Sequence, residues 1–250
     1  MSLRFQRAIV VGASSGIGEE IARQLAADGV AVALVGRRTA ELERVAGALR
    51  AGGAKQVLLA THDVTDASSI AGCFTALVGE LGGLDLLVYA AGIIHVPQES
   101  EYDLAADRAQ MEVNVLGAMA WTSLAAARFE AARAGTIVGI SSIAGERGRR
   151  TMPGYTTSKA ALSTWLEALR NRVSRYGVNV VTVKPGFVDT AMTKHLTKKP
   201  MMIPVEHAAN LILATARRGG SRTAFVPGQW GLIALVLRHI PSSIFRKLDL

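Results

Sequence analysis

The chain has 250 residues, half of them hydrophobic, and a mean hydropathy of +0.27. These values fit one large α/β domain or two small ones, with a sizeable core, and argue against a disordered polymer. The net charge of +8 is spread along the chain: Arg147, Arg149 and Arg150, then Lys194, Lys198 and Lys199, then Arg217 and Arg218 are its densest groups, and no block of five like charges occurs. That dispersion points to a solvated surface, or to anionic ligands such as phosphates, and away from nucleic acid.

Cys73 is the single cysteine, so an internal disulfide is excluded and a reducing, cytoplasmic setting is expected, with Cys73 filling core space. Residues 1–7 are short and polar and do not read as a secretory leader. No run reaches the eighteen or more apolar residues of a membrane span.

In chain order, short β-branched runs alternate with alanine- and leucine-rich helical stretches. The first predicted strand, 8–11, runs into Gly12-Ala13-Ser14-Ser15-Gly16-Ile17-Gly18, which opens a predicted helix over 16–28. Glycines at this place permit a tight turn and let backbone N–H groups approach a pyrophosphate at the helix N-terminus, with Ser14 and Ser15 adding hydroxyl donors.

A strand over 30–35 leads to Gly36-Arg37-Arg38. A site for NAD would place a carboxylate here for the ribose 2′-hydroxyl. Guanidinium groups instead suit a 2′-phosphate, so NADP(H) is expected in preference to NAD(H). Arg37 is the stronger candidate, and Arg38 also reads as opening the next helix, 40–51, from solvent.

Further strands are predicted at 56–60, 84–89, 136–141, 178–183 and 223–226. The remaining helices are predicted at 67–81, 102–132 (with a break), 154–176 and 205–217. Continuously apolar strands alternating with helices predict a single doubly wound, Rossmann-type parallel sheet of seven strands, covered by helices on both faces and buried on both. The long stretch 191–204 reads as a substrate lid, with Met192, Leu196, Met201, Met202 and Ile203 as an apolar, adaptable wall.

Tyr155-Thr156-Thr157-Ser158-Lys159 follows Ser142 on a predicted helix. Four residues make about one helical turn, so phenol and ammonium share a face. A phenol titrates near 10, and a fixed cation beside it is expected to favour the phenolate.

Together these residues resemble the short-chain dehydrogenase/reductase family, over essentially the whole chain and in the family's order and spacing. Gly12 to Gly18 matches its glycine motif. The resemblance implies that Asp63 and Val64 contact the adenine, that Asn114 holds a water of a proton relay, and that Ser142, Tyr155 and Lys159 are catalytic. Tyr155 and Lys159 would also meet the cofactor, Lys159 at the nicotinamide ribose. Pro185, Gly186, Val188 and Thr190 match the segment at the nicotinamide end.

Val11 stands where the family often has threonine. Tyr89-Ala90-Ala91-Gly92 stands where Asn-Asn-Ala-Gly is common, so Ala90, Ala91 and Gly92 keep the cofactor-lining place while polar ties between the first and fourth strands are lost.

The implied activity is hydride transfer between NADP(H) and a carbonyl or secondary alcohol, a ketoreductase acting on an apolar or lipid-like small molecule. Two rival readings are a dinucleotide sensor of the same fold without catalysis and a basic nucleic-acid-binding protein. The family pairs subunits through the helices holding Asn114 and Tyr155. Trp165, Leu166, Leu169 and Val173 on the latter are expected to supply surface for a homodimer or homotetramer.

His95, His195 and His207 lack metal-ligand spacing, so no essential metal is expected. The apolar C-terminal segment, 229–250, is too short to span a bilayer. It reads either as a helix closing the substrate pocket or packing on a partner subunit, or as a peripheral contact lying in a membrane interface.

Overall fold

A computed structural model describes residues 5–194 and 199–248. Its seven strands are β1 (Arg7–Val11), β2 (Ala31–Gly36), β3 (Val57–Thr61), β4 (Leu86–Tyr89), β5 (Gly135–Ile140), β6 (Val178–Pro185) and β7 (Arg222–Val226). All pair in parallel, in the order β3-β2-β1-β4-β5-β6-β7. Helices cover both faces, as the alternating sequence pattern predicts.

Successive strand residues point to opposite faces, and the core divides accordingly. Ala8 and Val10 of β1 pack beneath α1 (Gly16–Ala27) and α2 (Thr39–Ala51), in the cluster that also takes in α7 (Val205–Arg217). Ile9 and Val11 pack on the other side with α3 (Ala67–Glu80), α5 (Gly117–Ala132) and α6 (Pro153–Val173). Burial on both faces holds for the inner strands only. On β3, Leu59 is exposed between buried Val57 and solvent, and on β7 Thr223 is exposed, because an edge strand has a neighbour on one side alone.

The expected break in the helix over 102–132 is instead a change of pitch. α4 (Leu104–Met111) continues through a π-helical turn, Glu112–Leu116, into α5. A π turn adds a residue per turn without interrupting the rod, and such turns favour functional positions.

A second correction concerns α6. Leu166, Leu169 and Val173, expected to face a partner subunit, are buried in the protein's own core. They lie on the helix face turned to the sheet, and Trp165 alone of the four is half-buried, its indole nitrogen donating to Thr122 Oγ1 at 2.9 Å.

The C-terminal segment forms α8 (Trp230–His239) and a short turn, α9 (Ser242–Phe245). No helix among the described residues is long and apolar enough to cross a membrane.

Candidate active site

The C-terminal ends of β1, β2, β4, β5 and β6 open into one cleft of about 450 Å³, where a doubly wound sheet places its ligands. Among the expected residues, Gly12, Ser14, Ser15, Gly16, Ile17, Gly18, Arg37, Arg38 and Val64 line it. So do Ala90, Ala91, Gly92, Ser142, Tyr155, Lys159, Pro185, Gly186, Val188 and Thr190. Two do not: Asn114 is buried beneath its wall, and Asp63 stands part-exposed beside Arg37 at the rim.

The glycine turn is built by close approach. Gly12 has φ +89°, and a Cβ there would lie 2.7 Å from the carbonyl carbon of Ala90; one on Gly18 would collide with the Gly12 carbonyl. The chain therefore turns directly against residues 90–92, bringing the N-terminus of α1 to the cleft. Ser15 is the N-cap of α1 yet makes no side-chain cap bond. Its hydroxyl, with that of Ser14, accepts from Arg38 Nη2 at 2.7 and 2.9 Å. A helix N-terminus, two hydroxyls and a guanidinium converging in a glycine-lined cradle suit an anion, and a dinucleotide phosphate fits this donor set.

Both arginines are exposed at the mouth of the cleft, and Arg38 opens α2 as expected. Arg37 Nη1 pairs with Asp63 Oδ2 at 3.5 Å on the rim, both side chains part-exposed. Arg38, while exposed, is also the one held at the glycine turn. Asp63 is also fixed by the N–H and hydroxyl of Thr65, at 2.9 and 2.8 Å. Burial pushes its carboxyl pKa up, but Thr65 and Arg37 outweigh this and hold it below its ordinary value. The neighbouring His62, not foreseen, lines the cleft and shares a 2.9 Å hydrogen bond with Ser69 Oγ.

At the far end stand Ser142, Tyr155 and Lys159, each at least nine-tenths buried. Ser142 follows β5 and caps a 3-10 turn, Ile143–Glu146, its Oγ accepting from Ala144 N–H at 3.0 Å. Pro153 begins α6, placing Tyr155 in the first turn and Lys159 one turn later. The turn and helix touch at Gly145, where a Cβ would sit 2.7 Å from the carbonyl carbon of Lys159. This approach sets Ser142 and Tyr155 together on the wall of the cleft.

Here the electrostatics differ from expectation. Lys159 Nζ lies 5.8 Å from the Tyr155 ring centre and donates to the Ile140 carbonyl at 3.0 Å. Burial pulls the ammonium pKa down to about 8. Burial also raises the Tyr155 pKa, and the groups opposing that rise are the Ser142 hydrogen bond and the charge of Arg149. The lysine is bonded to the strand while its ammonium stays over the Tyr155 ring, and the charge of the half-buried Arg149, which sequence spacing did not single out, also favours the phenolate.

Asn114 sits in the π turn and is fully buried. Its Oδ1 accepts from Ile93 N–H at 2.8 Å, and its Nδ2 donates to the Ile93 carbonyl and to Ser158 Oγ, each at 2.9 Å. It thereby ties α6 to the loop after β4. Tyr89, which replaces a polar residue common in the family, is buried and donates its hydroxyl to the Val113 carbonyl at 2.6 Å. The lost ties between β1 and β4 are replaced by one between β4 and the π turn.

Only part of the expected lid wall meets the cleft. Ala191, Met192 and Thr193 line it, while Met201 and Met202 are exposed. Ile203 packs on the core, and its carbonyl accepts from Asp189 N–H at 2.9 Å. His195, Leu196 and Lys198 lie outside the described residues. Behind the nicotinamide-end segment, Trp230 of α8 covers Gly186 and packs on Phe187, ring centres 5.9 Å apart.

The short chain dehydrogenase profile matches residues 6–201. The chain belongs to the short-chain dehydrogenase family. An uncharacterized oxidoreductase of Myxococcus xanthus is 33% identical over 97% of this chain and 96% of its own length. A short-chain type dehydrogenase/reductase of Mycobacterium marinum is similar in structure, with a TM-score of 0.83 and 28% identity over 92% of this chain and 96% of that one. An alcohol dehydrogenase of Thermococcus sibiricus, complexed with 5-hydroxy-NADP, shares the fold at a TM-score of 0.79 and 24% identity, over 89% and 96% of the two chains. As a short-chain dehydrogenase, the chain is an oxidoreductase of a family that uses a nicotinamide dinucleotide.

Proposed function

We propose that the protein is an NADP(H)-dependent ketoreductase, interconverting a carbonyl and a secondary alcohol on an apolar or lipid-like small molecule. The observation carrying this reading is a single cleft with an anion cradle containing Arg38 at one end and the buried side chains of Ser142, Tyr155 and Lys159 at the other. A nucleotide sensor has no need of the second end, and that favours catalysis over binding alone.

Gly12, Gly16 and Gly18 admit the pyrophosphate, Arg38 and Arg37 attract the 2′-phosphate, and Val64 with residues 90–92 flanks the adenosine. Asp63 acts at the rim by holding Arg37. Pro185, Gly186, Val188 and Thr190 border the nicotinamide end. Bound nicotinamide supplies or accepts the hydride.

In reduction, Tyr155 gives its hydroxyl proton to the carbonyl oxygen as charge develops there, while Ser142 donates a hydrogen bond to the same oxygen. Lys159 contributes positive charge beneath the phenol and meets the nicotinamide ribose. Asn114 holds the loop and α6 in register for proton return. Exclusion of water by Ala191, Met192 and Thr193, acting as a lid, strengthens these interactions.

A reducing, cytoplasmic setting suits the lone Cys73, half-buried against the core. The groove between α5 and α6, lined by Ala126, Trp165 and Ala168, supports pairing into a homodimer or homotetramer.

The test is an equilibrium titration with NADPH and NADH side by side, followed by a carbonyl screen with the preferred cofactor. Tighter NADPH binding, and turnover abolished by Tyr155→Phe without loss of cofactor affinity, is the expected outcome. Failure to bind either nucleotide, or near-wild-type turnover in the variant, overturns the reading.

A further inference from the structure

We propose that the outer face of α8 and α9 docks on an anionic lipid surface. Helix α8 uses one face internally: Trp230 and Ala234 pack on Ile143, Phe187 and Phe225. Its opposite face carries Leu232, Leu235 and Val236, exposed by 73, 53 and 62%. Their spacing puts them side by side on one stripe. Ile244 of α9 is likewise 53% exposed. Large apolar side chains gathered on an outward helical face mark an interaction surface, whereas scattered ones do not.

The segment is held in this orientation by charged groups of the turn after Ser142. Arg147 Nη1 donates to the carbonyls of Leu237, Arg238 and Ile240 at 2.9, 3.2 and 2.8 Å, and its guanidinium lies over the Phe245 ring at 4.4 Å. Arg238 pairs with the buried carboxylate of Glu146, which also takes Lys184 Nζ at 2.6 Å. The leucines are therefore presented outward by a rigid attachment, and Arg246 and Lys247 are exposed just after α9.

Charge selects the occupant. The C-terminal segment, 229–250, contains Arg238, His239, Arg246 and Lys247 against one acidic residue, Asp249. A two-fold contact between copies would bring the exposed Arg246 and Lys247 of both copies into one interface. An apolar stripe fringed by cations, on a chain of net charge +8, instead complements a bilayer interface with anionic headgroups.

The experiment is co-sedimentation of the full chain with vesicles of phosphatidylglycerol and phosphatidylcholine in equal parts, against phosphatidylcholine alone, at low and high salt. Binding to the mixed vesicles, weakened by salt, is expected. Leu232→Ser with Val236→Ser should lower it by roughly tenfold while turnover and elution volume stay unchanged. A second variant, Arg246→Gln with Lys247→Gln, leaves the apolar face intact and should weaken binding to the anionic vesicles alone. Absence of sedimentation, or sedimentation indifferent to both variants, overturns the proposal. So does a change of the serine variant from oligomer to monomer, since a second copy would then cover the face.

Discussion

Lys159 donates its ammonium to the backbone carbonyl of Ile140 at 3.0 Å, tying one turn of α6 to the last residue of β5. The ammonium is buried and lies 5.8 Å from the centre of the Tyr155 ring. Burial penalises its charged form, and the bond to Ile140 fixes where that charge sits.

A pH dependence of stability follows. Lys159 titrates at about 8 in the folded protein against an ordinary 10.5. Between these values the unfolded chain keeps a proton that the folded one has released, so the wild type gains stability as pH rises through this window. Lys159→Met has no proton to release there. Its stability relative to wild type should fall by up to about 3 kcal/mol as pH rises from about 7.5 to 10.5, as urea melts without cofactor would show. A difference independent of pH would contradict the depressed ammonium.

Tyr89→Phe removes the hydroxyl that donates to Val113 in the π turn. The carbonyl then remains buried, and the loss should be about 1–3 kcal/mol of unfolding free energy. Asn114, the next residue along, loses its support, so turnover should fall more than cofactor affinity does. Unchanged stability by urea denaturation would show that the turn holds itself.

Arg38→Ala should weaken NADPH binding by roughly thirtyfold, with little effect on NADH, since a charge-assisted phosphate contact contributes about 2 kcal/mol. Arg37→Ala should cost less, because that side chain already pairs with Asp63. Titration calorimetry of the two variants decides the order; a larger loss for Arg37 would reverse the assignment.

Arg149→Gln removes the charge that opposes the burial-raised pKa of Tyr155. Alcohol oxidation needs the phenolate, so the rising limb of its pH–rate profile should move to higher pH. Arg149→Lys should largely restore it. A profile that does not move, with turnover merely scaled, would assign Arg149 a structural role.

Much of the fold was legible because its signals are local. Apolar runs such as 8–11 and 178–183, separated by helical stretches, dictate a parallel sheet whatever the partners. The cradle was legible for the same reason: glycines are required where the strand turns into α1 against Ala90. The edges of the sheet carry no such signature, and Leu59 reads like an inner residue until β3 is seen to have one neighbour.

By itself, then, the sequence determined the order of strands and helices and the residue types of the cleft, through periodicity and fixed spacing along the chain. Only the tertiary structure decided where long side chains turn. Arg38 reaches Ser15 while Arg37 meets Asp63, and Leu166, Leu169 and Val173 face inward. Lys159 faces Ile140, and Asn114 occupies a π turn held by Tyr89. Each of these depends on a partner distant in sequence, whose position is set by packing and burial.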